Sequence, residues 1–494
     1  MTRNRSTTES NTTLPHDHPE DTSRRSMLRA LGGAGLAGAG LVATATPAAA
    51  APEGLRGLRS YFDIVDYGAV GDGVADNRSA IQAAIDAASE YANGLPQGGG
   101  AVVYVPSGLF KVSGTLRITQ SNVGVQGIGV GSVIQGTAVD GDIIYAGTDD
   151  LSTGEVRNVF FEHFAITAGV VKNSGAAIRC QYAVRFRIED VQAAPAEVGP
   201  AGLFDGLVFE HFDNTVVTRV QIWAQRKGIT AWGRKDQSYG ANLYIGGGSR
   251  IASNNTPGSI GVHIGGSCGG VVLEDTDVIV NETNLLIDDT LSGAPNRELF
   301  LNQLFIDSAA GHGLDIGPQG VALLHLNNTW ISASGRNVLG NGEPTRGFPA
   351  GNNVNYRGDA TAIPGIENLN TVLVDGCRIF NAFGSGIAAY AGKWLITGSN
   401  VLFNGQGELG GHGLGFLSDQ VKEVVINGCI VSNNGGAPGE EPRPLGPGIE
   451  LADGVGACII TSNIIRDNAT GDIVARGRGR GRNRIVKDNL LLTS

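Results

Sequence analysis

Asp288 and Asp315 are the two carboxylates in this 494-residue sequence whose placement best suits acid–base chemistry. Short segments that open with glycine and a branched apolar residue recur around them, among them Gly206-Leu207-Val208-Phe209, Gly228-Ile229-Thr230-Ala231, Gly261-Val262-His263-Ile264 and Gly313-Leu314-Asp315-Ile316. Aligned as successive parallel strands, these segments place Arg179, Val208, Thr230, His263, Leu286 and Asp315 in one outward column. Two residues further on, a second column holds Gln181, Glu210, Trp232, Gly265, Asp288 and Gly317. Asp288 and Asp315 then sit diagonally on neighbouring strands, about 8 Å apart for ~4.8 Å between strands and ~6.6 Å per two residues. At such a separation one carboxyl protonates a glycosidic oxygen while the other activates a water on the far side of the bond. The spacing does not assign the two roles. Glu210 and His312 fall near the same patch and join them as acid–base candidates. Charge on an exposed sheet face is often only solvation, but the grouping of Glu210, Trp232, His263, Asp288, Asp289 and Asp315 argues for a site.

A basic cluster borders these columns: Arg226-Lys227, then Trp232, Arg234, Lys235 and Asp236. A guanidinium pairs with a carboxylate while an indole stacks on a sugar face, so Arg226, Lys227, Trp232, Arg234 and Asp236, with His263 and Asp289, are the expected substrate contacts. A solvated turn offsetting its acidic neighbourhood would look the same in sequence. No Cys-x-x-Cys or His-x-x-x-His spacing is present, so no structural metal is expected. Glu274, Asp275 and Asp277 offer ligands for Ca²⁺ should the reaction be an elimination, but calcium-loop spacing is absent. No other cofactor is called for.

The elements that must hold such a patch are legible as an irregular repeat from residue 156 onward. A second strand type reads Val271-x-Leu273-x-x-Thr276-x-Val278, Trp394-x-Ile396-x-x-Ser399-x-Val401, Val424-x-Ile426-x-x-Cys429-x-Val431 and Cys458-x-Ile460-x-x-Asn463-x-Ile465. An asparagine follows three residues later each time: Asn281, Asn404, Asn434 and Asn468. Stacked amides at one turn position can hydrogen-bond in a ladder along a solenoid axis. Glycine makes up 76 of 494 residues, about twice the usual share, beside 41% hydrophobic content, which suits many short strands joined by tight turns. The expected fold is all-β, a right-handed parallel β-helix of about a dozen coils. Cys377 and Cys429 share a column with Ser399 between them, ~9.6 Å apart over two coils, too far for a disulfide. The net charge of −11 argues against nucleic acid as a partner.

Two N-terminal blocks carry a family resemblance. In Val65–Ala88, Ile81, Ala84, Ile85 and Ala88 fall at helical spacing behind Asp76 and Asn77, predicting an amphipathic helix over 76–92 that covers the open end of the solenoid. The block Gly98–Gly114 follows, with alternating Val103 and Val105 and a Pro106-Ser107-Gly108 turn. Together they resemble the N-terminal region of the pectate-lyase-like superfamily, which includes rhamnogalacturonase-like hydrolases, polysaccharide lyases, uronate epimerases and phage tailspikes. The resemblance implies a polysaccharide substrate and admits a homotrimer of solenoids side by side. Gly311-His312-Gly313-Leu314-Asp315-Ile316-Gly317 also resembles a segment of the polygalacturonase family, where the histidine lies beside three catalytic aspartates; His312 takes that place here. The likeness is partial, since Asp288-Asp289 follows its strand, the Arg-Ile-Lys motif reads Arg378-Ile379-Phe380, and a second Gly411-His412-Gly413 indicates that the coil pattern alone produces such histidines.

The chain opens with Ser23-Arg24-Arg25-Ser26-Met27-Leu28, an Ala/Gly/Leu run and Ala48-Ala49-Ala50, the pattern of a twin-arginine export signal over residues 1–50. That segment holds five arginines against four acids, so its removal takes the charge from −11 to −12. Residues 51–494 are then expected to form one secreted β-helix domain with an N-terminal cap at 61–100 and a long loop insertion at 333–370. The expected function is polysaccharide degradation by a glycoside hydrolase using the paired carboxylates. Lyase action on a uronic-acid glycan and non-catalytic glycan binding are the alternatives.

Overall fold

The computed structural model describes residues 60–492 apart from 96–98, 195–201, 237–239, 319, 336–350, 358–369, 408–409, 437–445 and 477–483. The twin-arginine segment therefore lies outside the described residues.

Each coil contributes one strand to a thirteen-stranded parallel sheet, which runs from Leu116–Ile118 to Ile473–Ala475. The remaining strands pair in a second parallel sheet of thirty, in which longer strands such as Val321–Asn327 alternate with short ones such as Trp330–Ser332. The core lies between the sheets and consists of stacked apolar columns. One column runs Leu207, Ile229, Val262, Leu285, Leu314, Val354, Ile387, Leu414 and Ile449, each at most 1% exposed. Period-two alternation sends every other side chain inward, so pairing register alone fixes which residues face out. The expected outward column, Arg179 to Asp315, occupies successive paired positions in the thirteen-stranded sheet.

The helix spans Arg78–Gly94 and buries Ile81, Ala84, Ile85 and Ala88 together with Ser89 and Ala92. Asp76, rather than Asn77, bonds the first helical amide, at 3.1 Å from Arg78 N. The helix packs on the opening strands Tyr61–Asp63, Ala101–Tyr104 and Leu116–Ile118, as a cap over the first coil must.

The asparagine and glycine signatures turn out to be one packing unit. Asn404 Nδ2 donates to Asn434 Oδ1 at 2.9 Å and Asn434 Nδ2 to Asn468 Oδ1 at 3.0 Å, with Asn404 and Asn434 fully buried and Asn468 partly so. Asn353 extends this ladder by donating to Asn404 Oδ1 at 3.0 Å. The strand-opening glycines face these amides: a Cβ at Gly386 or Gly413 would lie 2.8 Å from Asn404 or Asn434 Nδ2, and 2.6 or 2.5 Å from the carbonyl of the next glycine. All five cysteines are buried free thiols, including Cys377 and Cys429.

The loop expected at 333–370 is not continuous. It contains the strand Val354–Tyr356, which pairs with Leu314–Ile316 on one side and Ile387–Ala389 on the other. A three-residue strand between Gly/Asn-rich flanks has too few positions to display alternation, so it read as loop.

Candidate functional site

The outer face of the thirteen-stranded sheet carries three adjoining groups of polar side chains. In the first, Lys227 opens the strand Lys227–Trp232, His263 sits mid-strand on the next coil, and Asp288 lies just past the strand Thr283–Ile287 of the coil after. Lys227 Nζ is 2.8 Å from His263 Nδ1, and His263 Nε2 is 2.8 Å from Asp288 Oδ1. The Asp288 carboxylate can only accept from Nε2, so the neutral imidazole carries its proton there and leaves Nδ1 to accept from Lys227. Thr290 donates to the same carboxylate oxygen from its hydroxyl at 2.8 Å and its amide at 3.2 Å.

Burial sets the electrostatics of this chain. His263 is 2% exposed, and desolvation pulls its pKa below 6.5; the bond to Asp288 opposes that, and the charge of Lys227 adds to it. Burial also lowers the Lys227 pKa, with Arg226 acting in the same direction and Asp205 and Asp288 against it. Burial would raise Asp288, but the hydrogen bond and charge of His263 and the two Thr290 bonds outweigh it and leave the carboxyl below its ordinary value. The set is a cation, a neutral imidazole and an anion in one hydrogen-bonded row. Arg226 stands beside it. Asp205, 3% exposed, grips its guanidinium through two bonds, one from Nε at 2.9 Å, and the same group lies 4.6 Å from the Phe204 ring centroid. About half of the Arg226 side chain faces solvent.

The second group contains Asp315. Its Oδ1 accepts from Asn355 Nδ2 at 2.8 Å and Arg357 Nε at 3.0 Å, and its Oδ2 accepts from Arg357 Nη2 at 2.7 Å. Asp288 and Asp315 thus keep the diagonal register expected of them, but Asp288 is taken up by His263 and Thr290 and Asp315 by Arg357 and Asn355. The Arg357 fork and Asn355 together occupy both oxygens of Asp315. His312 lies next to this pair and accepts from Asn352 N through Nδ1 at 3.0 Å. Its pKa falls chiefly through burial, with Asp315 acting against the shift. His312 is not hydrogen-bonded to either aspartate.

Glu210 belongs to a third group, three coils before Asp288. Arg179 Nη1 is 3.6 Å from its carboxylate, and burial raises its pKa, opposed by Arg179 and assisted by Asp142 and Asp149. Tyr145 Oη donates to Asp149 at 2.7 Å and to Gln181 at 3.0 Å in the same cluster. Trp232 pairs with Glu210 across the sheet and lines a groove of about 550 Å³ with Tyr182, His211, Arg234, Asp236 and Leu291. Arg234 and Asp236 are ion-paired at 2.6 Å. Gly265 separates Trp232 from Asp288 in the outward column, and Leu291 fills the space above it: a Cβ there would lie 2.5 Å from Leu291 Cδ1. Asp289 is half-buried and its carbonyl accepts from Gly293 N at 2.7 Å.

Arg357 was hidden in the presumed loop, and Asn355 with it. The Lys227–His263 contact was also missed, because it joins residues from different columns. Arg179 was visible in its column but gave no sign of its two carboxylate partners. Among the described residues, no group of three or more His, Cys, Asp or Glu side chains is placed to hold a metal ion. Asp277 is occupied with Arg250 at 3.5 Å and Glu274 with Tyr244 Oη at 3.0 Å, both on the other sheet.

Two family models cover most of the chain: Rhamnogalacturonase A/epimerase, pectate lyase-like, over residues 61–271, and right-handed β-helix region over 292–490. Mannuronan C5-epimerase AlgE2 of Azotobacter vinelandii is 42% identical over 108 residues, 20% of this chain and 9% of that protein. Alginate lyase 7 of the same organism is 39% identical over 103 residues, 20% of this chain and 10% of that protein. The matched stretch is therefore about a tenth of either relative. The Dettilon tailspike protein gives a TM-score of 0.50 at 13% identity, covering 85% of this chain and 69% of the tailspike, a likeness of fold. With its capped, stacked coils and these matches, the chain belongs to the pectate-lyase-like superfamily of right-handed parallel β-helix proteins.

Proposed function

We propose that this protein acts on an acidic, uronate-containing polysaccharide by abstracting the proton on the carbon next to the sugar carboxylate. The observation that carries this reading is the row Lys227–His263–Asp288, with 2.8 Å at each link. Lys227, its pKa lowered, is the base when neutral: its lone pair takes the proton while one of its N–H groups stays on His263 Nδ1. Asp288 balances the charge gained. Arg226, fixed by Asp205 and half exposed, is the group to meet the sugar carboxylate and stabilise the electron pair delocalised onto it. That pair either expels the neighbouring glycosidic oxygen, which leaves as a hydroxyl after taking a proton from the Lys227 ammonium or water and gives an unsaturated sugar, or takes a proton from water on the opposite face, giving the epimer. The names of the relatives, an epimerase and a lyase, support both outcomes.

Hydrolysis is the second reading. Its support is Glu210, whose pKa burial raises and which pairs with Trp232 across the sheet, whereas Asp288 and Asp315 are each taken up by hydrogen-bond donors of their own. Incubating the protein with polyuronates in D₂O separates the readings. Deuterium at the carbon next to the carboxylate supports epimerisation, and unsaturated ends, which carry no hydrogen at that carbon, support elimination; either one upholds proton abstraction. New saturated reducing ends without deuterium support hydrolysis, and binding without product supports a glycan-binding protein. We further propose that residues 1–50 direct export by the twin-arginine route, so that the protein meets its polymer outside the cell.

A further inference from the structure

Two other buried carboxylates on this sheet each hold an arginine from the next coil, Asp315 through two bonds and Glu450 through one, and both arginines lie on one line. Asp315, 7% exposed, clamps Arg357 from the next coil, and Glu450, 4% exposed, holds Arg476 from the next coil. Arg357 N bonds Ile316 O and Arg476 N bonds Leu451 O, both at 2.8 Å, so each arginine occupies the position just past its strand. Tyr390, Leu417 and Ala452 fill that position on the three intervening coils, each bonded to the coil before it. Four coil steps separate the two guanidiniums, about 19 Å. The side chains of Arg357 and Arg476 are 51% and 67% exposed, while their carboxylate partners are 9% and 5% exposed. The anions are therefore beneath and the cations face solvent. His412 Nδ1 lies 3.1 Å from Glu450 Oε2, with no hydrogen bond between them. Between the arginines the strip is apolar apart from Tyr390, which is 42% exposed. Asp288 lies on the same line two coils before Arg357, about 10 Å away.

We propose that this strip is a binding tract for a linear polyanion lying along the solenoid axis, with Arg357 and Arg476 as its two carboxylate anchors beyond the Lys227–His263–Asp288 group. The tract rests on the reading of the substrate as an acidic polysaccharide. Burying the carboxylates fixes the guanidinium forks without spending their outward N–H groups, which suits bidentate recognition. Cations spaced by several coils select for chain length, since a short oligomer engages one anchor and a long one engages both.

The test measures binding of polyuronate oligomers, a trimer and a decamer, to wild-type protein, R357A, R476A and the double variant E450Q/R476A, which leaves no unpaired buried charge if R476A alone unfolds. Expected is a loss of about tenfold in decamer affinity for R476A and E450Q/R476A, with trimer affinity and trimer turnover unchanged. R357A should weaken both lengths. Equal affinity of wild type and arginine variants for the decamer overturns the tract while leaving the proposed reaction intact. Failure of wild-type protein to bind either oligomer overturns both. Loss of turnover in K227M with decamer affinity retained upholds the tract as separate from the reacting group.

Discussion

Lys227 and Asp288 stand on opposite sides of one imidazole, each 2.8 Å from a different nitrogen of His263, although two coils separate their strands. The register makes this possible. Lys227 opens its strand, His263 sits mid-strand on the next coil, and Asp288 follows the strand after that, so the three run diagonally across the outer face. A diagonal row of cation, imidazole and anion moves charge without requiring any one of them to be an unpaired buried ion.

The first prediction concerns the reacting group. K227M should lower turnover on the true polyuronate by two or more orders of magnitude, since a positioned base contributes roughly 10²–10⁴-fold. D288N should lower it as well, but by less, because it removes the counter-charge and leaves the amine in place. Steady-state rates for both variants check this. Near-wild-type turnover in K227M would move the search to Glu210.

Trp232 has a different expected role. It lines the groove beside Glu210 and carries no proton to transfer. W232A should therefore raise KM several-fold with little change in kcat, as loss of a stacking surface does. A matched fall in kcat and kcat/KM would instead place Trp232 at the transition state.

Stability should depend on pH in a definite direction. His211, His263, His312 and His412 all have pKa values lowered from 6.5, with burial the largest cause in each. The unfolded chain takes up protons at these sites before the folded one does, so the stability they confer is complete above about pH 6.5 and is lost as pH falls through the lowered values. Glu210, with its raised pKa, contributes in the opposite sense at lower pH. Calorimetric melting temperatures should fall on acidification below pH 6.5, and H263Q should flatten part of that fall. A melting temperature independent of pH across that window would contradict the buried-neutral assignment.

Much of the fold was legible because its signatures are repeated and constrained by backbone contact. The strand-opening glycines and the turn asparagines mark many of the register steps, and the packing of Gly413 against Asn434 explains why the two residue types recur together. From those steps the outward columns followed, and with them His263, Asp288 and Asp315. The pairing of their side chains did not follow, because partners reach diagonally and by side-chain length. Lys227 reads as part of a basic turn until its ammonium is seen on His263. Arg357 sits after a strand of three residues, Val354–Tyr356, too short for any periodicity to register, yet it binds both oxygens of Asp315, the carboxylate that the spacing alone left unpartnered.

The last prediction tests that packing unit directly. In G413A the new methyl would lie 2.5 Å from Gly448 O and 2.8 Å from Asn434 Nδ2, closer than real Cβ contacts allow. Both neighbours are fixed, the carbonyl by the strand ladder and the amide by Asn468 Oδ1 at 3.0 Å. Relief requires either opening the ladder or shifting a coil, so the change should cost about 1–3 kcal/mol, the usual range for overpacking. N434A should cost a comparable amount by leaving the Asn404 amide group and the Val401 carbonyl without their partner. The double variant G413A/N434A should be less destabilised than the sum of the two, because deleting the amide makes room for the methyl. Denaturant midpoints for the three variants measure the coupling. Strict additivity would mean that glycine and asparagine recur at these corners for separate reasons.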